Sequence, residues 1–193
     1  MIFRTALVLT LVLLPSPVRA APEQKARALF SQGKAAYDQA NYPEALDKFQ
    51  GALKLIHRAS LLLMTARTYR RLNRADKALT YYQSYKSVWR QENPGKPSPH
   101  AAEVAEQLAR LSETTRLVAE AETSLPRGLR LEAINALNLA LKGSSWPRIY
   151  AVLARCYLAL DRKDKATASL KVALGYWEGY RLGWKTKHPG TAP

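Results

Sequence analysis

From about residue 22 onward, apolar residues recur along this chain at steps of three and four, the spacing that lays one apolar stripe on a helix. In HAAEVAEQLARLSETTRLVAEAE, for example, Val104, Leu108, Leu111 and Val118 fall near such a stripe, with Glu and Arg between them. Setting the stripes against the breaker residues predicts eight helices, at about 22–40, 42–57, 59–72, 75–92, 99–123, 129–142, 147–160 and 163–181. Asn93-Pro94-Gly95-Lys96-Pro97-Ser98-Pro99 cannot be helical and reads as a linker near 93–99. Gly143-Ser144-Ser145-Trp146-Pro147 closes one helix and opens the next, with Pro147 in the first turn, where a missing N–H costs nothing.

The opening segment 1–20, MIFRTALVLTLVLLPSPVRA, follows another pattern. Arg4 precedes an apolar run from Ala6 to Leu14, Pro15 and Pro17 break it, and Val18-Arg19-Ala20 offers modest or small residues at the positions a signal peptidase reads. That is the form of a secretory signal peptide, and the run falls short of the roughly 20 apolar residues needed to span a bilayer. The expectation is export, with cleavage near Ala20 and a periplasmic or secreted mature chain. The helical domain would occupy 21–182 and a loose, proline-containing tail 183–193.

One spacing recurs through the helical part. Gly33 is followed at steps of twelve, four and three by Ala45, Phe49 and Ala52. The same steps lead from Ala66 to Ala78, Tyr82 and Tyr85, from Ala121 to Ala133, Leu137 and Ala140, and from Ala154 to Ala166, Leu170 and Ala173. The interval from Ala45 to Ala78 is 33 and that from Ala133 to Ala166 is again 33, while Ala78 to Ala133 is 55, which is 33 with 22 inserted. The unit this describes is a helical hairpin. A small residue on the first helix allows close approach, a polar turn follows (Gln39-Ala40-Asn41, Asn73-Arg74-Ala75, Asp161-Arg162-Lys163), and the second helix brings Ala to the crossing and a bulky residue four further on. Neither helix can bury its stripe alone, so the units must stack.

These residues resemble the tetratricopeptide repeat family over roughly 24–180. The copy with Gly33, Tyr42, Ala45, Phe49 and Ala52 matches closely, and those with Ala66-Tyr69-Ala78-Tyr82 and Ala154-Tyr157-Ala166-Leu170-Ala173 match well. The copy around Ala121 and Ala133 departs from the pattern. Its turn is Ser124 to Gly128, and it lacks the aromatic near the end of its first helix. Tyr85 stands where a small residue is usual, which suggests a splayed second copy. The resemblance implies an all-α fold, a helical-hairpin repeat array forming a right-handed solenoid of about four repeats with one long inserted helix. It also implies a protein-interaction scaffold whose first helices line a concave groove. The inward-facing candidates there are Arg27, Lys34, Tyr37, Leu63, Arg67, Arg70, Arg71, Arg148 and Arg155.

Charge alters this picture more than composition does. The chain carries 30 Lys+Arg against 15 Asp+Glu, a net +15, and losing residues 1–20 with Arg4 and Arg19 would leave +13. A solvated basic surface, an acidic partner and an anionic envelope surface (lipid, lipopolysaccharide or cell wall) are all compatible with that surplus. Export argues against nucleic acid as the partner. Arg forks onto carboxylates, so a basic groove would suit an acidic peptide or helix of an envelope protein.

No residues carry the spacing of catalysis. His57, His100 and His188 are scattered, no metal-ligand pair or phosphate-cradling loop occurs, and no cofactor is expected. The reading is non-enzymatic, with an accessory subunit of an envelope enzyme complex as the rival from that class. Glu103, Glu106, Glu113, Glu120 and Glu122 read as a solvated helix face. Tyr81, Tyr82, Tyr85 and Trp89 read as packing, as do Trp177, Tyr180 and Trp184, and Trp184 beside Lys185 and Lys187 is alternatively a surface contact. Cys156, the lone cysteine, lies in an apolar helix and is expected to be a buried small hydrophobe without a disulfide.

Overall fold

A computed structural model describes the backbone of residues 17–187 and, within it, the side chains of 21–179 and Arg181. The signal-peptide run lies outside the described residues, as do the side chains of Tyr180 and Trp184, and His188. The described chain is all helical: α1 (Pro17–Asp38), α2 (Tyr42–Leu53), α3 (Ala59–Arg71), α4 (Ala75–Glu92), α5 (Ala101–Ser124), α6 (Arg130–Gly143), α7 (Pro147–Ala159) and α8 (Lys163–Lys187). Helices pack pairwise as α1/α2, α3/α4, α5/α6 and α7/α8, with each pair leaning on the next. The result is a tetratricopeptide-like array of four helical hairpins. α8 continues to Lys187, into the stretch read from sequence as a tail, and α2 stops at Leu53 rather than near 57.

The repeat spacing works as close packing. Ala45, Ala78, Ala133 and Ala166 are all buried where the two helices of a hairpin cross. Gly33 shows why that position is small. A Cβ built on it would stand 2.7 Å from the Phe49 ring, inside any real carbon–carbon contact. Phe49 fills the gap that Gly33 leaves and leans on Phe30, with ring centroids 5.8 Å apart. The core runs through all four hairpins and includes Leu61, Leu62, Leu63, Val118, Leu137, Ile149 and Cys156. Burial raises the pKa of the Cys156 thiol, as expected of a small core residue.

The turns repeat as faithfully as the crossings. Ala40, Asn73, Gly128 and Asp161 each adopt a left-handed backbone, with φ of 57°, 53°, 81° and 54°. All four stand five residues before the crossing alanine. In each turn the next N–H reaches back five residues: Asn41 N to Ala36 O at 2.8 Å, Arg74 N to Tyr69 O at 2.9 Å, Leu129 N to Ser124 O at 3.1 Å and Arg162 N to Tyr157 O at 2.8 Å. This bond pattern satisfies the orphan carbonyls at a helix end and needs one residue tolerant of positive φ. The third hairpin, irregular in sequence, therefore has the common turn and supplies it with glycine.

These turns give a direct stability prediction. Ala40 bears a Cβ in a conformation that only Gly, Asn and Asp adopt readily. Ala40→Gly should stabilise the chain by about 0.5–1 kcal/mol after the entropy of the freer unfolded chain is counted. Gly128→Ala should destabilise by about 1 kcal/mol. Thermal melts of the two variants should move in opposite directions by a few °C.

The insert does not form an element of its own. It lengthens the α4–α5 connection, α5 itself and the α5–α6 turn, so the long helix is the first helix of the third hairpin. Tyr85 does not splay the second hairpin. It is buried, its hydroxyl meets that of Ser98, and Trp89 Nε1 donates to Lys96 O at 3.3 Å, so the aromatic end of α4 ties down the proline-rich link. Tyr81 stacks on Tyr69 with centroids 5.3 Å apart. Beyond neighbour packing, α8 touches α2, so the array folds back until its last hairpin meets its first.

Candidate functional site

The fold separates the nine candidate groove residues. α1 adjoins α3 and α5 adjoins α7, but α3 and α5 meet only through long side chains. Three clefts result, and each takes one of the nine. Arg27 lines a cleft with Phe30, Ile56 and Arg58; Arg70 lines another with Gln107, Arg110 and Lys142; Arg148 lines a third with Trp146, Tyr176 and Trp177. Leu63 is buried in the core and offers no groove contact, because the stripe of α3 turns it inward.

Arg67 is a joint between hairpins. From α3 its Nε donates to Glu103 Oε1 of α5 at 2.9 Å, and Nη2 donates to Glu103 Oε2 in the shortest contact of the pair. His100 Nδ1 lies 3.3 Å from the same Nη2. The Arg67 guanidinium holds the Glu103 carboxyl below the usual carboxylate range. Arg148 makes the equivalent joint one hairpin later. Its Nε and Nη2 donate to Glu122 Oε1 and Oε2 at 2.8 and 2.7 Å, and its guanidinium lies over the Trp146 ring at 5.5 Å. Glu103 and Glu122 are thus bridging residues between hairpins, which corrects their reading as a solvated face. Glu113 and Glu120 stay on the surface of α5, both paired with Arg116.

A register rule hidden in the sequence accounts for both joints. Arg67 follows Ala66 and Glu122 follows Ala121, so both stand one residue after the small position of the first helix. In the second and third hairpins that position faces the following hairpin and is met by an opposite charge there. Lys34 and Arg155 occupy the same position in the first and last hairpins and are exposed.

The remaining candidates differ in kind. Arg71 is exposed and lies over the Tyr42 ring at 6.0 Å, while Tyr37 meets Tyr42 edge to face at 5.3 Å. These contacts join the first hairpin to the second. The Nε of Arg70 is buried without a hydrogen bond, in a polar cleft of about 230 Å³. Arg70 and Lys142 sit in the last turns of α3 and α6, and Arg110 Nε donates to Gly143 O at 2.7 Å. Carbonyl ends of helices converge there, and the three cations offset them. Their positive charge is used within the fold.

The cleft of Arg148 is the more apolar one, about 360 Å³ between the α3–α4 corner and the last hairpin. Asp76 on its wall has a buried Oδ1 without a hydrogen bond, and its charge is felt by Arg148. Trp177, expected from the sequence to pack α8 against its neighbours, lines this cleft and is 61% exposed. Leu170, expected to fill a gap like Phe49, is likewise open to solvent. Among the described residues no cluster of His, Cys, Asp and Glu could hold a metal ion, and no helix is long and apolar enough to cross a membrane.

No protein-family profile matches the chain, and no curated sequence does. Among solved structures, two crystal structures of MamA align with it at 15% identity. One has a TM-score of 0.34 and covers 84% of this chain and 83% of that one. The other has a TM-score of 0.33 and covers 88% and 98%. At those scores the fold assignment rests on the hairpin packing and the repeated turns described above.

Proposed function

We propose that this chain is a non-catalytic protein-interaction scaffold of the cell envelope, exported through its segment 1–20, whose partner offers carboxylates to its basic surface. The observation that carries this reading is how its cations divide. Arg67 and Arg148 are matched by acids between hairpins, whereas Arg27, Lys34 and Arg155 face solvent and form no ion pair among the described residues. A hairpin array is also a scaffold by construction, since each unit presents a long exposed flank to one side.

The test is capture of protein from an envelope extract by the wild-type chain and by Arg27→Ala/Lys34→Ala. Both substitutions are exposed, so the helical circular-dichroism signal should be unchanged while capture falls several-fold. Capture should partly persist at about 0.5 M salt, where screening shortens to a few Å. Complete release by salt, with anionic vesicles binding equally well, would replace the scaffold with a protein merely adsorbed on an anionic surface. N-terminal sequencing of the mature protein should begin at Ala21, and an intact Met1 in the exported fraction would contradict the export route.

A further inference from the structure

The fourth hairpin, the last among the described residues, leaves open a face that the other three bury. Phe49, Tyr82 and Leu137 stand four residues after the crossing alanine and are 0% exposed. Leu170, in the same register on α8, is 42% exposed, and Leu174 one turn on is 57% exposed. On α7, Leu158 is 54% exposed, while its register equivalents Tyr37, Arg70 and Leu125 are half-buried. Arrays of this kind need a polar outer face on the terminal repeat. The last described repeat carries leucines instead, at the positions where a following hairpin would sit.

In two of the three hairpins that have a successor, Lys34 of the first being the exception, register also sets a charge pair. One residue after the small position, Arg67 of the second hairpin meets Glu103 and Glu122 of the third meets Arg148, each in the first helix of the hairpin that follows. In the last hairpin that position is Arg155, exposed beside the apolar face. Arg162, Lys163, Lys165, Lys171 and Arg181 stand exposed on the same hairpin, against the exposed acids Asp161, Asp164 and Glu178. The exposed leucines have no apolar stripe over them and Arg155 has no paired carboxylate among the described residues, and the first helix of another hairpin would bring both.

We propose that the open face of α7 and α8 seats an amphipathic, acidic helix of a partner protein, laid where the first helix of a fifth hairpin would lie. Its apolar side chains cover Leu158, Leu170 and Leu174, and one of its carboxylates forks onto Arg155 as Glu103 does onto Arg67. A second copy of this chain is the poorer occupant, since each carries +15 and its approach would crowd like charges. The proposal rests on the scaffold reading and adds to the α1 cations a second contact, with an occupant of stated chemistry.

The experiment uses the purified chain and a designed helical peptide of about 20 residues, with leucines at three- and four-residue steps and glutamates flanking them. A peptide of the same stripe with lysine flanks, and a scrambled one, serve as comparison, with affinity read by fluorescence anisotropy. The Glu-flanked peptide should bind at least about tenfold more tightly than either. Leu170→Ser/Leu174→Ser should weaken it about tenfold or more with an unchanged helical signal. Arg155→Glu should invert the preference in favour of the Lys-flanked peptide, an outcome that loss of folding does not produce.

Undiminished binding by the leucine variant would overturn the proposal. If Arg27→Ala/Lys34→Ala were the variant that abolished binding, the scaffold reading would stand with a different docking site. Equal failure of all peptides, together with salt-reversible adsorption of the chain to anionic vesicles, would remove both readings. Concentration-dependent dimerisation in sedimentation, abolished by the leucine variant, would assign the face to a second copy and refute the acidic partner.

Discussion

Phe49→Ala is expected to destabilise this protein by about 3–5 kcal/mol, the range for deleting a fully buried aromatic side chain. The ring has no room to be replaced by relaxation. It lies against Gly33 so closely that even a methyl group there would clash, and it meets Phe30 at 5.8 Å across the first hairpin. Removing it leaves a cavity between α1 and α2, because Gly33 has no side chain to fill it. In a hairpin array each unit is supported chiefly by its neighbours, so the loss should be regional. Hydrogen exchange should show lost protection concentrated in α1 to α3, with α5 to α7 nearly unchanged, and the main thermal transition should fall by about 10 °C. Uniform loss of protection through all four hairpins would show that the array unfolds as one unit.

The second large effect concerns the joint across the proline-rich link. Glu103→Gln removes the charge that holds Arg67, and the pair is partly buried, with side-chain exposures of 24% and 34%. Its loss should cost about 1–2 kcal/mol, between the values for exposed and fully buried pairs. The pH dependence carries the sign. In the folded chain the Glu103 carboxyl titrates below its ordinary value of 4.5, held there first by the hydrogen bond from Arg67. The joint's contribution is therefore complete above the unfolded-state value. It disappears as pH falls through the lower, folded-state one. Denaturant titrations between about pH 7 and pH 3 should show wild type losing stability on the acid side, with Glu103→Gln losing less over the same interval. Arg116 and its partners Glu113 and Glu120 are exposed, so their part should fade in salt while the Glu103 part persists.

Both effects involve residues whose importance was unequally visible beforehand. Phe49 and Gly33 belong to the spacing that defines the repeat, and spacing is a local property readable from one chain. Glu103 was not so readable. It lies in the amphipathic stretch of α5 among other glutamates, and only the approach of Arg67 from α3 distinguishes it from Glu113. One part of that signal was present in the sequence, in the shared register of Lys34, Arg67, Glu122 and Arg155 after the small residue. It marks which side chains face the next hairpin, but it cannot say whether a next hairpin exists or what charge it brings.

Helix existence, the pairing of helices and the turn positions followed from the sequence because each depends on residues within one hairpin. The four crossing alanines recur at intervals of 33, 55 and 33 along the chain, with the small positions and polar turns in step, and steric fit translates that recurrence directly into stacked hairpins. What only the tertiary structure decided is what happens between hairpins. The insert lengthens existing elements, α8 returns to α2, Leu63 faces the core, and Arg67 and Arg148 are taken up by acids of a neighbouring unit. Those outcomes depend on which surfaces meet after the linker turns the chain, and contacts between residues far apart in sequence leave no periodic trace in it. Leu170 shows the division most clearly. Its register predicts burial, and the fold leaves it exposed because no helix of the described chain covers it.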